Sequence, residues 1–203
     1  MVVHAVRSLA AATLVDLIVV AAPADDVVAV ARLLAMPGSR VPIEVVAGGP
    51  DRQASVLLAL AALPDDIDVV LVHDAARPLA PPELVDAVAA AVLAGAVAVV
   101  PGLPVTDTVK SVRSGGDSEI VTRTVSRGDL RSIQTPQGFD RRVLERAHAA
   151  AVESATDDAG LVELLGLPVI VVPGSADAFK ITGPRDLAIA EAILRERRGA
   201  DVR

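Results

Sequence analysis

Cysteine, tryptophan and tyrosine are absent from this chain of 203 residues, and its only aromatic side chains are two phenylalanines. Without cysteine, neither disulfides nor thiolate metal sites can form. No basic stripe is visible: 19 Lys and Arg face 26 Asp and Glu, giving a formal charge of −7, which argues against a nucleic-acid-binding domain. A few cations can still converge on a small anionic ligand in an acidic protein. The opening "MVVHAVRSLAAATLVDLIVVAAP" scatters charges through its apolar part, unlike a secretory signal, and no apolar run is long enough for a membrane span. The expectation is a soluble cytoplasmic protein with no nucleic-acid or membrane partner.

What is present is an alternation. Strand-like runs at Leu17–Ala22, Pro42–Gly49, Val69–Val72 and Ala96–Val105 are separated by helix-like segments at Asp25–Met36, about Asp51–Leu63 and the "PPELVDAVAAAVLAG" run. That last helix opens on two prolines and closes at Gly95, the asymmetry that helix ends prefer. Near-continuous apolar strands alternating with helices predict an α/β fold, a Rossmann-like and mostly parallel sheet with helices on both faces. The rhythm breaks between Thr106 and Phe139. Alternating residues around Ser114-Gly115-Gly116-Asp117 predict two antiparallel strands, a polar hairpin projecting from the body. The rhythm then resumes with helices from about Arg141 to Ser154 and Asp157 to Leu165, the strand "PVIVVPG", and a last helix from Pro184 to about Arg198. With no internal repeat and no linker, the chain reads as one domain, residues 1–203, carrying an arm over 106–135. At the start, Val2, Val6, Leu9 and Thr13 recur at helical spacing with no capping residue ahead of them, where such a domain normally opens on a strand.

Ionisable residues gather where strands end. "AGGPDRQASV" joins a strand to a helix: Gly48 and Gly49 permit close backbone approach, and Arg52 and Ser55 lie one turn apart, although an ordinary strand-to-helix turn has the same look. In "VHDAARP" the third strand runs into His73, Asp74 and Arg77. The ligand crevice of an open α/β sheet lies outside the carboxyl ends of its strands. Asp74 suits a metal ion or a substrate hydroxyl, and Arg77 a phosphate or the orientation of Asp74; a solvated surface pair is the bland alternative. His73 reads as structural. Lys180, after the last strand, suits a phosphate contact or plain solvation. The two carboxylates of "ATDDAGLVE" are explained by helix capping, with Thr156 or Asp157 as cap.

The order and spacing of these pieces say more than each alone. "GGPDRQASV", "VHDAARP", "PVTDTVK", "SR" eight residues before "TPQGF", "TDDAGLVE" and "FKIT" together resemble the 2-C-methyl-D-erythritol 4-phosphate cytidylyltransferase family of the non-mevalonate isoprenoid pathway, from Val2 to about Ile193. The nearest alternatives are cytidylyltransferases acting on pentitol phosphates such as ribitol 5-phosphate, or a catalytically incomplete module that binds a sugar phosphate and dimerises. A dinucleotide-dependent oxidoreductase would need a G-x-G-x-x-G after a strand, and none is present.

The resemblance implies transfer of a cytidylyl group from CTP to methylerythritol phosphate, with Mg²⁺ and release of pyrophosphate. By motif it implies that Gly48, Gly49 and Ser55, with Arg52 beside them, read the CTP base. Asp74 and Arg77 would stand near the sugar and substrate, Asp74 also as the candidate metal ligand. Thr108, Arg127, Thr135 and Lys180 would hold the methylerythritol phosphate or the reacting phosphates, with Arg127 and Lys180 catalytic. It implies a homodimer in which the arm carries Arg127 into the partner's site. The family opens on a strand and a Gly-rich loop bearing an Arg and then a Lys; no counterpart appears here, and Met1 aligns inside the following helix. The expectations are therefore an amino-terminally truncated domain, unpaired edges on the strands flanking the lost one, and impaired turnover.

Overall fold

The computed structural model describes residues 1–151 and 155–200, the side chains through residue 197. Helix α1 (Val2–Ala11) starts at Met1 without a side-chain cap. Strand β1 (Ile18–Ala22) pairs in parallel with β2 (Ile43–Ala47), with α2 (Val27–Leu34) as the crossover. Helix α3 (Arg52–Ala61) follows, capped by Asp51, whose carboxylate accepts from the Ala54 N–H at 2.8 Å. Then come β3 (Val69–Val72), α4 (Pro82–Leu93) and β4 (Ala98–Pro104).

The arm is the hairpin β5 (Val109–Ser114) and β6 (Glu119–Val125), a two-stranded sheet of its own turning through Gly116 at φ +85°. Chain return supplies two strands that the sequence pattern did not reveal, β7 (Arg131–Ile133) and β8 (Gln137–Asp140). Both are short, and Pro136 just before β8 and Gly138 within it hide a β signal, since strand interiors normally exclude such residues. Helices α5 (Arg141–Ala150) and α6 (Asp158–Leu164), strand β9 (Ile170–Pro173) and α7 (Pro184–Ala200) complete the chain. The expected end of α5 at 152–154 lies outside the described residues. Asp157, not Thr156, caps α6 by accepting from the Gly160 N–H at 3.0 Å.

The α/β organisation and the projecting arm are those expected, but the central sheet is mixed. Its order is β3-β8-β4-β7 with β9 also on β4; β4 and β9 are parallel, whereas β8 runs antiparallel to both β3 and β4. Strand β8, the second after the arm, enters between β3 and β4 and so reverses the local direction.

Strand alternation divides the core. Val70, Ala98, Val100 and Phe139 pack with Leu60 of α3, Val143, Leu144 and Ala147 of α5, and Leu161 and Val162 of α6. The intervening Leu71 and Val99 face Val88 and Val92 of α4 on the other side. Val6, Val15, Ile18, Leu34 and Val85 form a second core that ties α1 and α2 to β1 and α4. With neither Trp nor Tyr to fill space, the interior is built from aliphatic layers around Phe139, which is fully buried. Each buried Val, Leu or Phe contributes about 1.5–3 kcal/mol.

Among the described residues β1 pairs only with β2, and β3 only with β8. A cavity of about 770 Å³ separates the two facing edges, walled by Ile18–Ala21, Val69–Val72, α1 and α3, with Arg52 and Asp74 also among its lining residues.

Candidate active site

The turn after β2 is built by α3 itself. The Gly48 N–H donates to the Ala22 carbonyl at 2.7 Å, joining the ends of β1 and β2. The Ser55 hydroxyl donates to the Asp51 carbonyl at 2.7 Å and accepts from the Gly49 N–H at 3.1 Å. A Cβ at Gly49 would lie 2.4 Å from that of Ala54, and one at Gly48 would lie 2.9 Å from the Ser55 oxygen. Glycine is therefore needed because the turn lies against the first turn of α3. Ser55 holds the turn's shape.

Beyond β3, Asp74 is the centre of a cationic cluster. Its Oδ1 lies 3.4 Å from Arg52 Nε; its Oδ2 lies 3.1 Å from Lys180 Nζ and 4.0 Å from Arg77 Nε. Burial raises the Asp74 pKa, but Lys180 and Arg52 outweigh it and hold the carboxyl below its ordinary value. Asp74 is therefore ionised at neutral pH. Three cations against the carboxylates of Asp74 and Asp158 leave a local positive excess in an acidic protein, a setting suited to phosphate.

The cations differ in availability. Lys180 is half-exposed and Arg52 is 39% exposed, whereas the Arg77 side chain is only 12% exposed. Arg77 donates to the Ala178 carbonyl at 2.8 Å and to the Ile133 carbonyl at 3.3 Å, tying the β3 loop to β7 and to the segment carrying Lys180. Its two terminal nitrogens are engaged by backbone carbonyls, while the buried Nε, without a hydrogen-bond partner among the described residues, faces Asp74 at 4.0 Å. Thr135 is likewise engaged. It is 4% exposed, and its hydroxyl accepts from the Asp74 N–H at 3.0 Å and lies 3.0 Å from His73 Nδ1. The hydroxyl so placed joins the start of the Asp74 loop to His73.

His73 completes this support. Its Nε2 lies 3.2 Å from the Arg77 carbonyl, which can only accept, so Nε2 carries the proton and Nδ1 accepts from Thr135. Burial pushes its pKa down to about 4, leaving a neutral ring with both nitrogens engaged. It is a structural residue, not a general base.

Thr108 and Arg127 lie at the base of the arm, both exposed. Arg127 donates to the Thr106 carbonyl, and no hydrogen bond or ion pair joins either residue to Asp74 among the described residues. Two participants escaped sequence reasoning. Asp158 Oδ2 forms a 2.7 Å ion pair with Arg52, and Asp158 Oδ1 lies 2.9 Å from Nε2 of the buried His148. The adjacent carboxylates of "TDD" were the available signal, and capping accounts for only the first.

The arrangement offers fixed cations, a glycine turn at a helix start, and no activated nucleophile. Its chemistry is the binding and positioning of anions. The model of the family described as IspD, 2-C-methyl-D-erythritol 4-phosphate cytidylyltransferase, matches residues 1–196. The chain belongs to that family. It is 54% identical over 204 aligned residues to the 2-C-methyl-D-erythritol 4-phosphate cytidylyltransferase of Streptomyces avermitilis, covering 98% of this chain and 81% of that protein. To the protein of the same name from Frankia casuarinae it is 55% identical, covering 99% and 73%. Among solved structures, 4-diphosphocytidyl-2C-methyl-D-erythritol synthase from Anaerococcus prevotii superposes with a TM-score of 0.83 at 29% identity, covering 96% of this chain and 88% of that one. 2-C-methyl-D-erythritol 4-phosphate cytidylyltransferase from Thermus thermophilus gives 0.70 at 37%, covering 89% and 98%.

Proposed function

We propose that the chain transfers a cytidylyl group from CTP to 2-C-methyl-D-erythritol 4-phosphate, giving the CDP-alcohol and pyrophosphate. Family membership supports the reaction class. The observation that carries the reading to residues is the meeting of the Gly48-Gly49 turn with Arg52, Asp74 and Lys180 at the carboxyl ends of the strands.

In this reading the substrate phosphate attacks the α-phosphorus of CTP in line and pyrophosphate leaves, so no covalent enzyme intermediate is needed. What remains for the protein is positioning and neutralisation of developing charge. Gly48, Gly49 and Ser55 hold the turn that receives the base, with Arg52 at its edge. Lys180, the exposed cation, turns from Asp74 to a phosphate oxygen. Arg77, Thr135 and His73 hold Asp74 in place while it receives a substrate hydroxyl or a metal ion.

Mg²⁺ fits as an ion carried by the nucleotide. Among the described residues no three His, Asp or Glu side chains come together as an all-protein cage requires, and Mg²⁺ is commonly held by one or two carboxylates plus substrate phosphates. Asp74 is the carboxylate placed to share it, and the ion's contribution is charge neutralisation on the phosphates. Thr108 and Arg127 are read as acting across a homodimer, the arm of one copy serving the other's cluster. Their exposure, and the lack of any hydrogen bond or ion pair from them to Asp74 among the described residues, support this.

Pyrophosphate release with CTP, Mg²⁺ and methylerythritol phosphate, on a sample whose fold is verified by circular dichroism, tests the proposal. Turnover with methylerythritol phosphate and little with ribitol 5-phosphate is expected. Preference for ribitol 5-phosphate, or binding of sugar phosphate without turnover, overturns it in favour of a pentitol enzyme or a binding module.

A further inference from the structure

Arg52 is held from both sides. Its Nε faces Asp74 at 3.4 Å, and its NH2 lies 2.7 Å from Asp158 Oδ2. Asp158 is 1% exposed and ionised: burial raises its pKa, but the His148 hydrogen bond and Arg52 together bring it below the ordinary value. The His148 side chain is fully buried on α5, its Nδ1 without a partner.

Burying a carboxylate and an imidazole together is costly, and such pairs add little stability over apolar packing. Helix capping does not explain this one. Asp157 caps α6, and the buried Gln137 of β8 secures that turn by donating to Asp157 Oδ2 at 2.7 Å and accepting from the Ala159 N–H at 3.2 Å. With the turn fixed by those bonds, the Asp158 carboxylate points inward, hydrogen-bonded to His148 through Oδ1 and ion-paired with Arg52 through Oδ2, which has no hydrogen-bond partner among the described residues.

We propose that Asp158 and His148 are positioning residues for Arg52: His148 fixes the Asp158 carboxylate, and Asp158 fixes the guanidinium beside the Gly48-Gly49 turn and Asp74. Arg52 then meets a nucleotide already oriented, so its side chain loses little freedom on binding. This rests on the reading of the turn as the CTP site.

Two measurements test it. In arginine-selective ¹⁵N NMR of the intact chain without nucleotide, the Arg52 Nη signals show hindered rotation; Asp158→Asn and His148→Leu relax them, and His148→Gln, which keeps an N–H donor, restores the hindrance. Calorimetric titration with CTP and Mg²⁺ then closes a double-mutant cycle. Asp158→Asn weakens CTP about tenfold in the parent and less than about twofold in an Arg52→Met background. A merely structural Asp158 would lower the thermal midpoint and weaken CTP equally in both backgrounds, and that result overturns the proposal. Unchanged Arg52 signals in both Asp158→Asn and His148→Leu overturn it as well. Failure of the parent to bind CTP while the Arg52 signals respond counts against the function reading alone.

Discussion

The body of this protein and its arm differ in what their polar side chains tie together. Around Asp74 nearly every polar group is held by another within the same chain: Arg77 by backbone carbonyls, Thr135 by His73 and Asp74, Arg52 by two carboxylates. On the arm, Lys110 donates to Thr124, Thr122 to the Ser111 carbonyl, and Arg123 to the Ser111 hydroxyl, all across the hairpin's own two strands. The arm also leaves Val112, Ile120 and Val121 exposed. An isolated two-stranded hairpin is marginal in water, whereas the cluster rests on a sheet covered on both faces. The body thus ties polar groups from distant parts of the chain around Asp74, while the arm's bonds stay within its own hairpin and leave apolar side chains exposed.

The comparison breaks most readily at Lys180. Lys180→Met removes a half-exposed cation and is expected to lower kcat/KM by about a hundredfold. A thermal midpoint close to the parent's should accompany it, checked by circular dichroism. A large loss of stability instead would place Lys180 among the buried supports, with Arg77.

A smaller effect separates the regions by pH. His73 has a folded pKa of about 4 against an ordinary value of 6.5, so between those values the unfolded chain binds the extra proton. Stability is then complete above pH 6.5 and falls as pH drops toward 4, by about 2 kcal/mol between pH 7 and pH 5. Asp74 and Asp158, with lowered pKa values, lose their contributions only at more acidic pH. Urea midpoints at pH 7 and 5 check this, and His73→Gln should flatten the dependence. The smallest effect on folding belongs to the arm. Val121→Ser should change unfolding free energy by less than about 0.5 kcal/mol while weakening self-association in analytical ultracentrifugation. A large destabilisation would show the arm to be part of the body's core.

Much of this was legible in the sequence, for reasons that also explain what was not. Local signals carried β3 running into His73, Asp74 and Arg77, the α6 cap at Asp157, and the hairpin around Gly115-Gly116. Strand β8 was hidden because Pro136 and Gly138 suppress a β pattern, yet Gly138 is needed there: a Cβ would lie 2.6 Å from Val88. Roles that depend on tertiary packing were also out of reach. His148 in an alanine-rich helix looks like any core histidine until α5 and α6 bring it to Asp158. Lys180 and Asp74 meet across 106 positions of chain. Arg77 and Thr135 carried the right address, but only the fold shows that they are largely buried and adjoin Asp74.

The division of labour between body and arm is tested most directly by mixing two damaged proteins. Arg127→Ala disables the arm's contribution and Lys180→Met the body's, and each should be nearly inactive alone in pyrophosphate release. If the arm of one copy serves the other's cluster, a twofold-symmetric hybrid holds one site with both residues intact, and an equimolar mixture after subunit exchange recovers about a quarter of the parent activity. A mixture no more active than its components, although sedimentation shows that hybrids have formed, would contradict the account and place Arg127 with its own copy's site.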